Sequence, residues 1–162
     1  MKMLAVLSLI LTLSVVSLSA HAEPTDTRAL EGVDQGQVVF DLNNNDPELL
    51  ALYLMVIRET FNDLTDQGVE PDMILGFRGR AVTMVSEDRE RFELTEFDHL
   101  DAIEEHIAAL KEKGVRMESC AVATRLFGVD HGELLPGIEP VRNTFVSLTG
   151  YQAQGYAVIP IY

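Results

Sequence analysis

The feature that most constrains the fold of this 162-residue chain is a regular alternation of strand-like and helix-like segments. Five short runs have the length and composition of strands: 37–42, 72–77, 116–122, 139–142 and 156–161. Helical patterns lie between them: 47–67, 81–85, 95–113, 130–135 and 144–154. Such alternation is typical of a parallel sheet with helices on both faces. We therefore expect an α/β fold, three-layer α/β/α with an open, mainly parallel sheet of about five strands.

The first predicted helix is unusually apolar. Asp46 is its expected N-cap, with Pro47 at the first helical position. One stripe follows helical spacing: Leu50, Leu54, Ile57, Phe61 and Leu64. Further apolar residues lie on other sides: Leu49, Leu52, Met55 and Val56. A helix that is apolar most of the way round requires burial on two sides. We favour a second subunit as the second covering, and a neighbouring loop is the alternative.

The first 22 residues have the pattern of a secretory signal. Lys2 precedes an apolar stretch at 4–18, and Ala20-His21-Ala22 is a small-residue cleavage site. We predict a signal peptide at 1–22 that is cleaved after Ala22, a flexible leader at 23–36 and one domain at 37–162. The mature protein is then expected in the periplasm.

Charge excludes some partners. The chain has 12 basic and 26 acidic residues, a net charge of −14. Removal of the predicted signal takes away one lysine and leaves 11 basic residues against 26. Such a charge repels nucleic acid and anionic membrane surfaces. We expect no nucleic-acid partner, and no membrane association once the signal is cleaved.

Cys120 is the only cysteine, so an intrachain disulfide is impossible. It lies near the end of the third predicted strand, before a helical turn that Gly128 closes. The backbone N–H groups and partial positive charge of a helix start favour a thiolate. One interpretation is a nucleophilic or sulfur-carrying cysteine. The other, slightly favoured by this stretch alone, is a buried residue that acts as a small hydrophobe.

Loops that follow parallel strands gather at one edge of the sheet, where ligands bind. Polar residues in these loops form the candidate site with Cys120: Asn43, Asn44, Asn45, Arg78, Arg80 and Arg125. Arginines at this edge would hold an anion or a thiolate. Pairing of each arginine with a surface carboxylate is the alternative. His131, in a loop after the third strand, is a further candidate near the cysteine, or a surface histidine.

The other histidines do not indicate a metal site. His99 and His106 are seven residues apart on one predicted helix, which separates them by about 10.5 Å. Ligands of one metal ion lie at about 2 Å from it, so these two cannot share an ion. No phosphate loop or dinucleotide fingerprint is present either. We expect no cofactor and no metal.

Four motifs resemble the DsrE/DsrF-like family over residues 37–162. They are VFDLNNNDPE at 39–48, FRG at 77–79, Cys120 followed by RLFGV at 125–129, and GYQAQGY at 150–156 with IPI at 159–161. The resemblance implies a three-layer α/β/α fold and a homo-oligomer, commonly a trimer or hexamer. In sulfur-relay members, the cysteine matched by Cys120 carries sulfur as a persulfide and acts with protein partners. Those relay proteins work in the cytoplasm, whereas this chain carries a predicted export signal.

These observations lead to one preferred hypothesis and two rivals. The preferred function is a periplasmic sulfur carrier, sulfurtransferase-like, with Cys120 as acceptor, Arg125 beside it and a protein donor or acceptor of sulfur. The first rival is a non-catalytic oligomeric binding module in which Cys120 is structural. The least supported is metal or copper handling through Cys120 and His131.

Overall fold

The computed structural model describes residues 24–162 of the chain. The predicted signal peptide and its cleavage site lie outside the described residues. The strands are β1 Gln35–Leu42, β2 Glu70–Phe77, β3 Arg116–Cys120, β4 Ile138–Val141 and β5 Ala157–Ile161. The α-helices are α1 Pro47–Asp66, α2 Ala81–Met84, α3 Phe97–Glu112, α4 Ala121–Phe127 and α5 Thr144–Ala153. Two 3-10 turns are Leu94–Glu96 and His131–Glu133.

All five strands are parallel and form one sheet in the order β4-β3-β2-β1-β5. Successive residues of a strand point to opposite faces. Val38 and Phe40 of β1 pack in the core with α1 and α3, whereas Val39 packs against Leu148 of α5. The sheet therefore lies between two layers of helices, which confirms the predicted three-layer α/β/α fold.

Local signals placed α1 as predicted. The Asp46 carboxylate accepts a hydrogen bond from the Leu49 N–H at 3.0 Å, and Pro47 occupies the first turn. The inner side chains of the predicted stripe are buried, among them Leu50 and Leu54. On the outer side Leu52 is 50% exposed and Val56 is 42% exposed. The second-subunit covering of this side stays a prediction.

Several predicted boundaries differ from the structure by one or two residues; β1, for example, begins at Gln35, inside the predicted leader. The helix predicted at 130–135 is wrong, because this segment forms only the 3-10 turn His131–Glu133. Two further differences have a clear local cause. The third strand ends at Cys120 rather than at residue 122, because Ala121 already begins α4. The helix predicted from residue 95 begins at Phe97, after a 3-10 turn whose start is capped by a capping box of Glu93 and Glu96.

Both sheet edges carry a proline, Pro140 in β4 and Pro160 in β5. Proline has no N–H to donate and therefore suits an edge strand.

The order of the strands creates a crevice at the carboxyl edge. From β1 to β4 each strand is added on the same side, and α5 then crosses the opposite face so that β5 pairs with β1. The helix after β3 packs with the α1/α3 core through Ala123, whereas the helix after β4 packs on the other face through Leu148. Adjacent strands whose following helices diverge in this way open a crevice that commonly binds ligands.

None of the helices within residues 24–162 combines the length and apolar character needed to cross a bilayer.

Candidate functional site around Cys120

Cys120 lies in the crevice between the ends of β3 and β4. It is the last residue of β3 and the N-cap of α4, with an extended backbone at φ −71° and ψ 112°. Its exposed fraction is 6%, yet it lines a pocket of about 220 Å³. Apolar side chains form most of the wall: Val122, Ala123, Leu126, Phe127 and Phe145. The cysteine is thus largely buried in the wall of a small, mostly apolar pocket at this edge.

Two helix starts converge on the Cys120 sulfur. Burial raises the pKa of the thiol, because a thiolate is costly away from water. The backbone N–H groups of Thr144, Ala123 and Val122, together with the Thr144 hydroxyl, stabilise the thiolate form of Cys120 and lower its pKa. The net effect is a pKa below that of an ordinary cysteine. These donors come from the first turns of α4 and α5, so the strand order itself brings them together.

The Thr144 hydroxyl is a second unusual feature of the pocket. Thr144 is 1% exposed, and its Oγ1 has no hydrogen-bond partner among the described residues. Its position is set by Gly76 of β2, where a Cβ would lie 3.3 Å from Thr144 Cγ2. A buried hydroxyl without a hydrogen-bond partner lowers the stability of the fold. An anion that forms beside the hydroxyl accepts the missing hydrogen bond. Ionisation of Cys120 supplies such an anion.

Arg78 forms the polar side of the pocket. It donates to Asp41 through Nε at 2.6 Å and through Nη2 at 2.9 Å, and its guanidinium lies 5.4 Å from the Phe145 ring centroid. Hydrogen bonding to Asp41 raises the pKa of Arg78, and the Cys120 charge contributes in the same direction. The arginine therefore stays charged beside the thiol, although Asp41 neutralises part of its field.

The asparagine loop supports the pocket from outside rather than lining it. Gly79 has φ +57°, and a Cβ there would lie 2.0 Å from Asn43 Oδ1. Asn43 thus contacts the turn that carries Arg78. Asn44 is 3% exposed, with neither amide atom bonded among the described residues, and Asn45 is exposed. None of the three belongs to the wall of the Cys120 pocket.

Arg125 and His131 lie in a different depression, together with Thr124. His131 Nε2 is 2.8 Å from the Thr124 hydroxyl. The helical period explains the separation. Because α4 starts at Ala121, residues 121, 124 and 125 share one face, and residues 122, 123 and 126 share the face toward the sulfur. Arg125 is therefore close to Cys120 in the sequence but does not line the Cys120 pocket.

Arg80 lies at the outer rim. It is exposed, and its guanidinium carbon is 6.0 Å from the centroid of the Phe127 ring, which belongs to the pocket wall. Within residues 24–162, no three His, Cys, Asp or Glu side chains are grouped closely enough to hold a metal ion. The structure thus brings Cys120 and Arg78 together, places Arg80 beside them, and separates them from His131.

Sequence inspection missed Asp41, Thr144 and Phe145 as site residues. Asp41 had a signal, because an acidic residue inside the apolar run VVFDL requires a buried partner. Asn143 is the N-cap of α5, and its side chain accepts a hydrogen bond from the Phe145 N–H at 3.0 Å. No local pattern indicates that the next residue faces a cysteine 24 positions earlier in the chain.

Comparisons with known proteins agree with this architecture. The sequence model of the DsrE/DsrF-like family matches residues 37–161. An uncharacterized protein from Aquifex aeolicus (strain VF5) is 24% identical over 125 residues, which cover 76% of this chain and 55% of that protein. The chain thus spans about half the length of this relative.

Two solved structures have the same fold. The protein of unknown function MTH1491 from Methanobacterium thermoautotrophicum matches with a TM-score of 0.63 and 21% identity, covering 78% of this chain and 100% of that one. The ychN protein from E. coli matches with a TM-score of 0.56 and 17% identity, again covering 78% and 100%.

Proposed function

This chain belongs to the DsrE/DsrF-like family, and we propose that it is a periplasmic sulfur carrier, sulfurtransferase-like, that holds sulfur as a persulfide on Cys120. The observation that supports this function most is the convergence of N–H donors from two helix starts on a cysteine sulfur inside a pocket. A structural cysteine needs neither the donors nor the pocket. Both favour a thiolate nucleophile that a substrate can reach.

The proposed step exchanges one sulfur–sulfur bond for another. The Cys120 thiolate attacks the outer sulfur of a donor persulfide, R–S–SH. The bond between the two donor sulfurs breaks, and R–S⁻ leaves with the electron pair. The product is the Cys120 persulfide, whose proton passes to solvent or to the departing thiolate. No net oxidation occurs, and a second thiol that attacks the outer sulfur reverses the chemistry to unload it.

The pocket residues have defined roles in this step. The N–H groups of Thr144 and Ala123 hold the attacking thiolate, and the Thr144 hydroxyl donates to it. Arg78 keeps a positive charge nearby for the departing anion. Apolar walls exclude water, which protects a persulfide from competing reactions. The pocket of about 220 Å³ has room for one extra sulfur and the end of a donor side chain.

The intact mass of the protein tests this function directly. Incubation with a sulfane-sulfur donor is expected to add one sulfur, about 32 Da, because Cys120 is the only cysteine. Dithiothreitol should remove the addition, and Cys120→Ser should never acquire it. A native protein that acquires no sulfur, while the unfolded chain does so readily, would contradict the proposal. The mass of the exported protein would also test the proposed processing after Ala22.

The alternative function is an oligomeric binding module in which Cys120 is inert. The observation that favours it is the 6% exposure of the cysteine. Alkylation of the folded protein with iodoacetamide separates the two functions. Labelling of the folded protein at neutral pH supports the carrier, whereas labelling only in denaturant supports the module. In either case we propose a homo-oligomer, for which light scattering after size exclusion is the test.

A further inference from the structure

Gly76 is an unexpected residue for its place in the sheet. It lies in β2, the central strand, among side chains that are fully buried: Ile74, Leu75 and Phe77. Glycine weakens a strand because it is flexible and buries no side chain. Its φ is outside the left-handed region, unlike that of Gly79, so the backbone does not require a glycine here. The explanation therefore lies in what approaches the missing side chain.

The first residue of α5 approaches Gly76 closely. A Cβ at position 76 would lie 3.3 Å from Thr144 Cγ2, and the next neighbour is the Phe40 carbonyl oxygen at 3.8 Å. The first distance is shorter than most contacts of a Cβ, so an alanine would press on Thr144. Because Thr144 is 1% exposed, it cannot give way without a shift of its helix. Gly76 thus determines how closely α5 approaches the sheet.

The strand register places Gly76 between two polar side chains that already have partners. Asp41 of β1 and Glu118 of β3 are aligned with it, and aligned residues of parallel strands share one face of the sheet. Asp41 binds Arg78, and Glu118 accepts a hydrogen bond from the Tyr151 hydroxyl of α5. Gly76 is therefore the gap in this row of three residues, and α5 begins over the gap.

The same close approach brings α5 to Cys120. Cys120 lies two residues after Glu118 on the same face of β3, and Cys120 and Thr144 both line the pocket. The Thr144 N–H and hydroxyl stabilise the thiolate against the effect of burial. The hydroxyl has no hydrogen-bond partner within residues 24–162, so it is available to this anion. A shift of α5 away from the sheet would separate both donors from the sulfur.

We propose that Gly76 is a positioning residue for the Cys120 site: its missing side chain lets α5 approach closely enough for Thr144 to stabilise the sulfur anion. The inference deepens the proposed function and rests on it, because the thiolate is the form in which Cys120 would accept sulfur. Gly76 does not line the pocket and therefore acts through Thr144. The glycine that weakens β2 thus serves the reactivity of the cysteine.

The pH dependence of Cys120 alkylation tests this role. Iodoacetamide reacts with the thiolate, so its rate reaches half its maximum at the pKa of the cysteine. In Gly76→Ala we expect this midpoint to rise by at least about half a pH unit, which slows alkylation at pH 7 about threefold. A general loosening of the fold would instead expose Cys120 and make alkylation faster. A folded Gly76→Ala protein with the wild-type midpoint would overturn the proposal.

Gly36→Ala is the matched control. Gly36 is a glycine of β1 whose φ is also outside the left-handed region, and a Cβ there would meet Leu64 Cδ1 at 3.1 Å. The change adds the same methyl group to the same sheet at an even shorter contact, but outside the Cys120 pocket. It should leave the midpoint in place. An equal shift in both variants would show that any added methyl group disturbs Cys120, and the proposal would be wrong.

A double variant tests the contact itself. Gly76→Ala combined with Thr144→Ser deletes the Cγ2 methyl that the new Cβ would meet, while it keeps the hydroxyl and the N–H. We expect its midpoint to equal that of Thr144→Ser alone, so that the two changes are not additive. Additive shifts would show that the two residues act independently, which contradicts the proposal. If Gly76→Ala alone does not fold, the double variant should still fold; its failure would mean that β2 requires glycine for another reason.

Loading with a sulfane-sulfur donor measures the proposed function separately. If the wild-type protein gains no sulfur but Gly76→Ala raises the midpoint, the positioning role stands and the carrier function is wrong. If the wild-type protein gains sulfur and the midpoint is the same in both proteins, the carrier function stands and the positioning role is wrong.

Discussion

Arg78 and Asp41 form a two-point ion pair beneath α5, with Nε to Oδ1 at 2.6 Å and Nη2 to Oδ2 at 2.9 Å. The side chains are 18% and 8% exposed, so both charges are largely removed from water. The pair joins the carboxyl ends of β1 and β2 and aims the guanidinium at the pocket that contains Cys120. Its energy and its influence on the thiol can both be measured.

Asp41→Asn should lower the free energy of unfolding by about 3 kcal/mol, because it leaves a mostly buried guanidinium without its counter-charge. Urea unfolding at pH 7 measures the loss. Glu105→Gln is the matched control, since it breaks an exposed pair with Arg58 at 3.6 Å. That change should cost less than about 1 kcal/mol. Equal losses in the two variants would show that burial does not determine how much these ion pairs contribute to stability.

Thr144→Val should raise the pKa of Cys120, because the variant removes a hydroxyl that stabilises the thiolate. The alkylation rate follows the thiolate fraction, so it rises with pH and reaches half its maximum at the pKa. In the wild type that midpoint should lie below the 9.0 of an ordinary cysteine. The variant's midpoint should move to higher pH, with slower alkylation at pH 7.

Thr149→Val provides the control for this profile. Thr149 is an exposed residue of the same helix, and its hydroxyl donates to the Phe145 carbonyl at 2.7 Å. The same chemical change there should leave the midpoint in place. A wild-type midpoint at or above that of an unfolded-chain cysteine would show that burial outweighs the helix-start donors.

Arg91→Gln should destabilise α4 by about 1–2 kcal/mol. The Arg91 guanidinium donates to the carbonyls of Phe127 and Gly128, the latter at 2.6 Å, and Asp88 holds it through Nε at 3.0 Å. These carbonyls end a seven-residue helix that is too short to be stable alone. Hydrogen exchange of the α4 amides should become faster in the variant. Arg89→Gln, which loses contacts to α3 instead, should leave those amides protected.

His106 should make stability depend on pH below about 6.5, the ordinary pKa of a histidine side chain. Burial lowers the pKa of His106 below 6.5, the Arg58 charge lowers it further, and Glu105 opposes them. The unfolded chain therefore binds this proton more tightly than the folded protein. Stability is fully present above about pH 6.5 and is lost as the pH falls toward the folded pKa.

His106→Gln should flatten this part of the stability curve, measured as the urea midpoint at half-unit pH steps. His99→Gln, on the same helix, is the comparison variant. A slope that is unchanged in His106→Gln would assign the dependence to other groups.

Much of the fold could be predicted because its causes are local. Alternating strand and helix patterns imply parallel crossovers, Asp46 and Pro47 specify the start of α1, and the position of Cys120 at a strand end follows from the helical turn after it. The predicted end of the third strand was wrong because two local signals compete there. The segment CAV has strand-like composition, yet Ala121 and Val122 are helical because α4 packs Ala123 into the core.

The sequence alone determined that this protein has a parallel three-layer fold with its one thiol at the carboxyl edge, since periodicity and end signals act over a few residues. Only the tertiary structure decided which groups meet that thiol. Arg78 reaches Asp41 across 37 positions, and Thr144 reaches the sulfur because α5 crosses the face opposite to α1. Helix rotation meanwhile turns Arg125 away from it. Contacts of this kind depend on strand order and on angles around a helix, which residue spacing does not encode.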